Sequence, residues 1–319
     1  MIPSLSLISL FAATLYESEG EVRKDIQKFW DQTRFELDKV SMAPFLEEVP
    51  LDGLLFEFRV KSVINYRVAL TSFEGRRIRA WFTLPAGQPP TGGWPAVMVL
   101  PGYPGVLALP LHLVHSGYAT LSLYPRGQGE SVREWEVEHD TRLTYHITDK
   151  DKYYYRGAYM DCVRGLDFLS QREEVDAHRI GVWGGSQGGG LTLATASLDK
   201  RPRVAVSIVP WLCNFPVAAG ITTVPYKELH DYLEEHPDQR EQVMATLEFF
   251  DTLNLANDIT CPTIVSTAIK DEVHPYRTVM PVFERIPALK SAVVYPDLEH
   301  GAGSDFAGHA LEWLGRYLR

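Results

Sequence analysis

Ile180-Gly181-Val182-Trp183-Gly184-Gly185-Ser186-Gln187-Gly188-Gly189-Gly190 is the stretch on which the reading of this chain turns. It begins apolar and strand-like, and it runs on into Leu191-Thr192-Leu193-Ala194-Thr195-Ala196, a helix-forming segment. Gly-x-Ser-x-Gly lies between them. A strand that turns sharply into a helix there forces the serine into a strained backbone conformation, and the flanking glycines remove Cβ atoms that would clash. The hydroxyl then stands at the edge of a sheet, and the next amide, that of Gln187, points to where an oxyanion would form. The pattern alone is loose and matches many glycine-rich loops. The strand before it and the helix after it are what mark Ser186 as a candidate nucleophile, with Gly184 and Gly188 framing the turn.

The rest of the chain supplies a sheet for such a turn. Residues 16–40 mix charge with Ile26, Phe29, Trp30 and Phe35 and read as an amphipathic helix. Leu55 to Val60 alternates like a half-exposed strand, and Tyr66–Thr71 and Arg77–Phe82 flank a Glu74-Gly75 turn. Apolar runs at 96–100, 119–123, 179–183 and 204–209 are each followed by a helical pattern, and two more strands are expected at 263–267 and 292–295. Strands alternating with helices imply a mostly parallel sheet with helices on both faces. An antiparallel start and a parallel remainder is the layout of an α/β-hydrolase, so the expected fold class is α/β. Residues 211–256 interrupt the rhythm with aromatic and acidic segments and read as a small cap-like insertion. No linker composition appears, so residues 1–319 are expected to form one domain with an N-terminal arm over 1–50.

Bulk properties narrow the function. The 319 residues are 45% hydrophobic and 23% charged, ordinary for a globular protein, and the net charge is −10. An acidic chain with no basic run argues against nucleic-acid binding. No apolar run approaches the ~18 residues of a membrane span, so no membrane partner is expected. Cys162, Cys213 and Cys261 are odd in number and far apart, which disfavours a disulfide framework and suits a reducing compartment. The expected location is the cytoplasm; the apolar N-terminus, Met1 to Thr14, is the one feature that would suit export. It has no basic residue before Arg23 and reads better as a packed arm.

A serine hydroxyl needs a base within hydrogen-bond reach, and the base needs an orienting acid. In this fold the order along the chain is nucleophile, acid, histidine. The strand ending at Thr267 leads to Asp271, with Glu272 its local competitor, and the final strand leads to Pro296-Asp297-Leu298-Glu299-His300-Gly301. Of ten histidines His300 is the one placed after the last strand, and His274, close to Asp271, is the alternative. The second oxyanion donor should come from Pro101-Gly102-Tyr103-Pro104-Gly105, where Tyr103 offers an N–H that the prolines lack. His112 and His115 have the spacing of a metal-binding pair but no third ligand nearby, and neither a metal nor any other cofactor is expected.

Taken in order, these motifs resemble the acetyl xylan esterase / cephalosporin-C deacetylase family of carbohydrate esterases. Arg126-Gly127-Gln128-Gly129 is similar to its Arg-Gly-Gln signature, and Tyr153-Tyr154-Tyr155-Arg156 to its helix-leading Tyr-Tyr-Tyr-Arg. Gly184 to Gly190 resembles its elbow, Pro210-Trp211-Leu212-Cys213 its Pro-Phe-Leu-Cys, and Asp271 with Pro275 its acid loop. The likeness runs from about residue 25 to the end. It implies Ser186, Asp271 and His300 as the triad and Tyr103 with Gln187 as the oxyanion hole. In that family Arg126 and Gln128 look structural, bracing the sheet.

The resemblance implies a serine esterase that removes acetyl groups from sugars or similar small alcohol esters. Trp211, Phe215 and Tyr226 are candidates to wall a small acyl pocket, beside the plainer reading as cap packing. A homo-oligomer, hexameric in the family, is a further implication. Two departures stand out: His300 is followed by Gly301 where the family has Glu, and the segment between Gly129 and Tyr153 is shorter than usual. The competing readings are a peptidase or dienelactone-hydrolase-like enzyme and a catalytically silent binding protein on the same fold.

Overall fold

The computed structural model describes residues 5–50, 63–103, 105–135 and 141–318, with only the helical backbone course given for 5–20. The expected strand over Leu55–Val60 lies outside the described residues. Among the described residues nine strands form one sheet: β1 (Phe45–Glu48), β2 (Ile64–Thr71), β3 (Arg77–Leu84), β4 (Trp94–Leu100), β5 (Ala119–Tyr124), β6 (Val175–Gly185), β7 (Pro202–Ile208), β8 (Thr263–Ala268) and β9 (Lys290–Tyr295). Their order is β1-β2-β3-β5-β4-β6-β7-β8-β9. The β1-β2-β3-β5 ladders are antiparallel, and every pairing from β5-β4 to β8-β9 is parallel.

Parallel strands need crossovers, and the chain supplies helices: α1 (Leu5–Asp38), α2 (Leu111–His115), α3 (Tyr154–Ser170), α4 (Gln187–Leu198), α9 (Tyr276–Arg285) and α10 (Phe306–Tyr317). Alternation along β4 shows how both faces are covered. Ala96, Met98 and Leu100 join the core under α1 and α3, whereas Val97 and Val99 join the one under α10. This explains the unbroken apolar runs of the central strands, which are buried on both sides.

The interruption at 211–256 folds as four short helices, α5 (Phe215–Ala218), α6 (Tyr226–Glu235), α7 (Arg240–Leu247) and α8 (Thr252–Leu255). The N-terminal helix packs here as well: Trp30 Nε1 donates to Phe249 O at 2.9 Å, and Phe29 lies edge-on to Phe249 at 5.1 Å. One residue of its expected apolar stripe is corrected. Phe35 is 55% exposed, with the Lys39 ammonium over its ring, while Leu37 is fully buried. Ile26, Trp30, Thr33 and Leu37 follow the 3.6-residue period, and Phe35 lies half a turn away.

Candidate active site

The candidate residues follow the C-terminal ends of β6, β8 and β9. Leaving β6, the chain puts Ser186 at φ 56°, ψ −119°, a conformation that L side chains rarely adopt. It is held there by its own N–H on Ile208 O at 2.8 Å and by the Trp211 N–H on its carbonyl at 3.0 Å, so the end of β7 clamps the turn. On the other side α4 presses against the end of β4. A Cβ on Gly188 would overlap the Leu100 carbonyl, which is why that position is glycine.

Asp271 follows β8 and is buried. Its Oδ1 accepts the N–H groups of Val273 and His274, each at 2.8 Å, and its Oδ2 accepts from His300 Nδ1 at 2.9 Å. Burial would raise this carboxyl's pKa. The His300 hydrogen bond and the His274 amide outweigh burial and hold it below the usual range. His300, after β9, is one-third exposed, so its ring bridges a buried acid and an open cleft.

His274 does not take the acid's outer oxygen. Its Nδ1 donates to Val209 O at 2.8 Å, its ring is parallel to that of Trp211, and it meets His300 edge-to-face at 4.6 Å between centroids. Burial, and then the neighbouring His300, hold it neutral well below the ordinary histidine range. Among the described residues, Asp271, His274 and His300 are also the group whose ligand atoms lie close enough to hold a cation, within 4.8 Å of one another. His112 instead lies against Trp183, with ring centroids 6.0 Å apart.

Behind the elbow the Gln187 side chain pairs reciprocally with Gln128. Gln187 Nε2 donates to Gln128 Oε1 at 2.8 Å, and Gln128 Nε2 donates to Gln187 Oε1 at 3.2 Å. Tyr155 OH also donates to Gln187 Oε1 at 2.9 Å, and Tyr154 OH donates to Arg126 O at 2.8 Å. Gln128 therefore does more than brace the sheet: it holds the residue whose amide follows the serine. Arg126, with Gly127 next to it, is buried on Asp161, with Nε to Oδ2 and Nη2 to Oδ1 both at 2.9 Å. The loop after β4 lies against the serine. A Cβ built on Gly102 would touch Ser186 Cβ at 3.9 Å, and Gly105 N closes a turn onto Gly102 O at 2.8 Å.

Trp211, Phe215 and Tyr226 are at most 1% exposed. They pack on one another, and Trp211 is edge-on to Tyr103 at 4.8 Å. The open cleft beside His300, about 1100 Å³, is lined by other residues: Ile221 and Thr223 from the cap, Val273 from the acid loop, Tyr276 and Arg277 from the start of α9, and Glu299. Gly301 has φ +146°, a backbone state that disfavours any side chain and gives a physical reason why no glutamate follows this histidine. Sequence reasoning missed Asp161, Glu228 and Arg142, which act on Arg126 and Tyr103. Asp161 did leave a signal, as a lone carboxylate in the apolar run Tyr159-Met160-Asp161-Cys162-Val163.

A mixed sheet of this order, with a strained serine after one strand and an acid–histidine pair after the last two, is an α/β-hydrolase. The chain belongs to the acetyl xylan esterase (AXE1) family, whose model matches residues 4–317. It is similar to an acetyl xylan esterase from Paenibacillus sp. R4, with 32% identity, TM-score 0.83, and 92% of this chain and 95% of that one covered. It is also similar to acetyl xylan esterase 1 from Thermoanaerobacterium sp. JW/SL YS485, with 25% identity, TM-score 0.83, and 94% and 98% covered. Among curated relatives it matches the acetyl esterase Axe7A of Xylanibacter ruminicola at 30% identity over 177 residues, which are 56% of this chain and 40% of Axe7A. Among the described residues no helix is long and apolar enough to cross a membrane.

Proposed function

We propose that this protein is a serine esterase that removes acetyl groups from acetylated sugars, with Ser186 as nucleophile, His300 as base and Asp271 as orienting acid. The observation that carries the reading is the 2.9 Å bond from His300 Nδ1 to buried Asp271. It fixes the tautomer whose Nε2 is free to accept a proton. Ser186 attacks the acetyl carbonyl while His300 Nε2 takes the hydroxyl proton. The tetrahedral anion rests on the N–H groups of Gln187 and Tyr103. The sugar hydroxyl leaves with the proton from His300, and water, activated by the same imidazole, releases acetate.

In this reading Trp211, behind Tyr103 and His274, bounds the acyl side, and the polar cleft beside His300 takes the alcohol portion. The test is a comparison of acetylated xylo-oligosaccharides, cephalosporin C and p-nitrophenyl acetate and octanoate, run on the wild type and Ser186→Ala. Acetate esters should be cleaved much faster than octanoate, and the variant should be folded, inactive and unlabelled by a fluorophosphonate. Activity surviving in Ser186→Ala would sink the assignment, and preference for a peptide amide would move it to another hydrolase class. The reading further includes one folding unit, a homo-oligomer and a reducing, cytoplasmic setting that suits three free, buried cysteines. A single melting transition, light scattering and fractionation test these in turn.

A further inference from the structure

Tyr103 is an exposed-loop residue in sequence, yet its side chain is held from three sides. Its hydroxyl donates to Glu228 Oε2 at 2.8 Å, the Arg142 guanidinium lies over its ring at 4.9 Å, and Trp211 meets it edge-on at 4.8 Å. Burial, then the Glu228 carboxylate, push the phenol's pKa up, which favours the protonated form that donates to Glu228. Glu228 belongs to cap helix α6, two residues after Tyr226, whose buried hydroxyl accepts the Cys213 N–H at 3.1 Å. The helix is thus anchored below by Tyr226, Leu229 and Leu233, and Glu228 reaches from it to the loop.

We infer that Glu228 is a positioning residue: from the cap it holds the Tyr103 phenol, and so keeps the Tyr103 N–H aimed at the oxyanion. This rests on the esterase reading above. The physical need is clear from the loop itself. Gly102 and Tyr103 lie outside any helix or strand, so no ladder hydrogen bond fixes the donor's direction, and the Tyr103 side chain is what ties this part of the loop to the cap. A donor helps only if it is already oriented when charge develops, and a shift of about 1 Å costs roughly a hundredfold in rate. The glutamate never touches substrate; it acts through 125 residues of chain separation by one hydrogen bond.

The experiment is a double-mutant cycle on p-nitrophenyl acetate. Glu228→Ala and Tyr103→Phe should each lower kcat by about 10- to 100-fold with KM changed by no more than about twofold, because the lost alignment matters in the transition state. The double variant should be no slower than the worse single one, since one link is broken either way. Glu228→Gln, whose amide oxygen still accepts the phenol proton, should recover kcat to within about threefold of wild type. Wild-type kcat in Tyr103→Phe, multiplying losses in the double variant, or a loss confined to KM would each overturn the inference. Tyr103→Phe removes a single hydroxyl, so it remains decisive if Glu228→Ala melts early. A Ser186-dependent wild type with neutral Glu228 variants removes this inference alone, whereas activity independent of Ser186 removes the esterase reading beneath it.

Discussion

Asp271→Asn is the sharpest perturbation that this geometry offers. Asp271 Oδ1 accepts two backbone N–H groups at 2.8 Å, and Oδ2 accepts from His300 Nδ1 at 2.9 Å. An asparagine has one acceptor oxygen and one NH2. If the NH2 faced the two amides, donors would meet donors, so the oxygen must stay there and the NH2 must turn to His300. The imidazole Nδ1 then has to accept, its proton moves to Nε2, and the nitrogen that should take the Ser186 proton is blocked. The fold is spared, because both amide bonds survive. In the serine–histidine–aspartate template a tautomer locked this way costs about 10⁴ in rate, or about 5.5 kcal/mol at ~1.36 kcal/mol per tenfold. Because His300 is one-third exposed, its ring has some freedom to reorient, which sets the lower end of the expected loss near 10³. The assay is kcat/KM for p-nitrophenyl acetate beside a melting curve. The expected result is a fall of about 10³ to 10⁴ with an unchanged KM and melting temperature. A variant within tenfold of wild type would refute the tautomer argument and with it the role given to Asp271.

Other perturbations test the framework. Gly188→Ala drives a Cβ into the Leu100 carbonyl and should cost about 3 kcal/mol or more in urea unfolding, together with activity. Arg126→Ala leaves the fully buried Asp161 carboxylate without its cation and should destabilise by about 3–5 kcal/mol, measured the same way. His274 gives a pH signature. Its folded pKa lies well below the unfolded value of about 6.5, so below that pH the unfolded chain binds a proton that the folded one refuses, and stability falls with acidification. Between pH 7 and 5 this amounts to about 2 kcal/mol. Asp251 works in the opposite sense: burial pushes its carboxyl up to about 6, so its contribution is present below about 4 and lost as pH rises through about 6. The His274 share is therefore read as the difference between wild type and His274→Phe, and equal acid slopes in the two would remove it.

Much was legible because local chemistry decided it. The run from Ile180 to Gly190 specifies strand, turn and helix through its own propensities, and the late strands put Asp271 and His300 after β8 and β9 without reference to distant residues. The choice between His274 and His300 was different in kind. Both rings lie close to one carboxylate, and the packed ring of Trp211 and the Val209 carbonyl commit His274 elsewhere. Phe35 misled for a similar reason, since apolar character does not say which side of a helix meets the core.

Sequence by itself determined the hairpin and the six later strands, their order, and the residue types that could carry acyl transfer, because periodicity and turn chemistry act over a few neighbouring residues; the short edge strand β1, Phe45–Glu48, carries too little pattern of its own and exists through its pairing with β2. Tertiary structure alone decided the partnerships across the chain: Gln128 with Gln187, Arg126 with Asp161, and Glu228 with Tyr103, separated by 59, 35 and 125 residues. A hydrogen bond at about 3 Å depends on where two elements dock, and docking is set by the whole core.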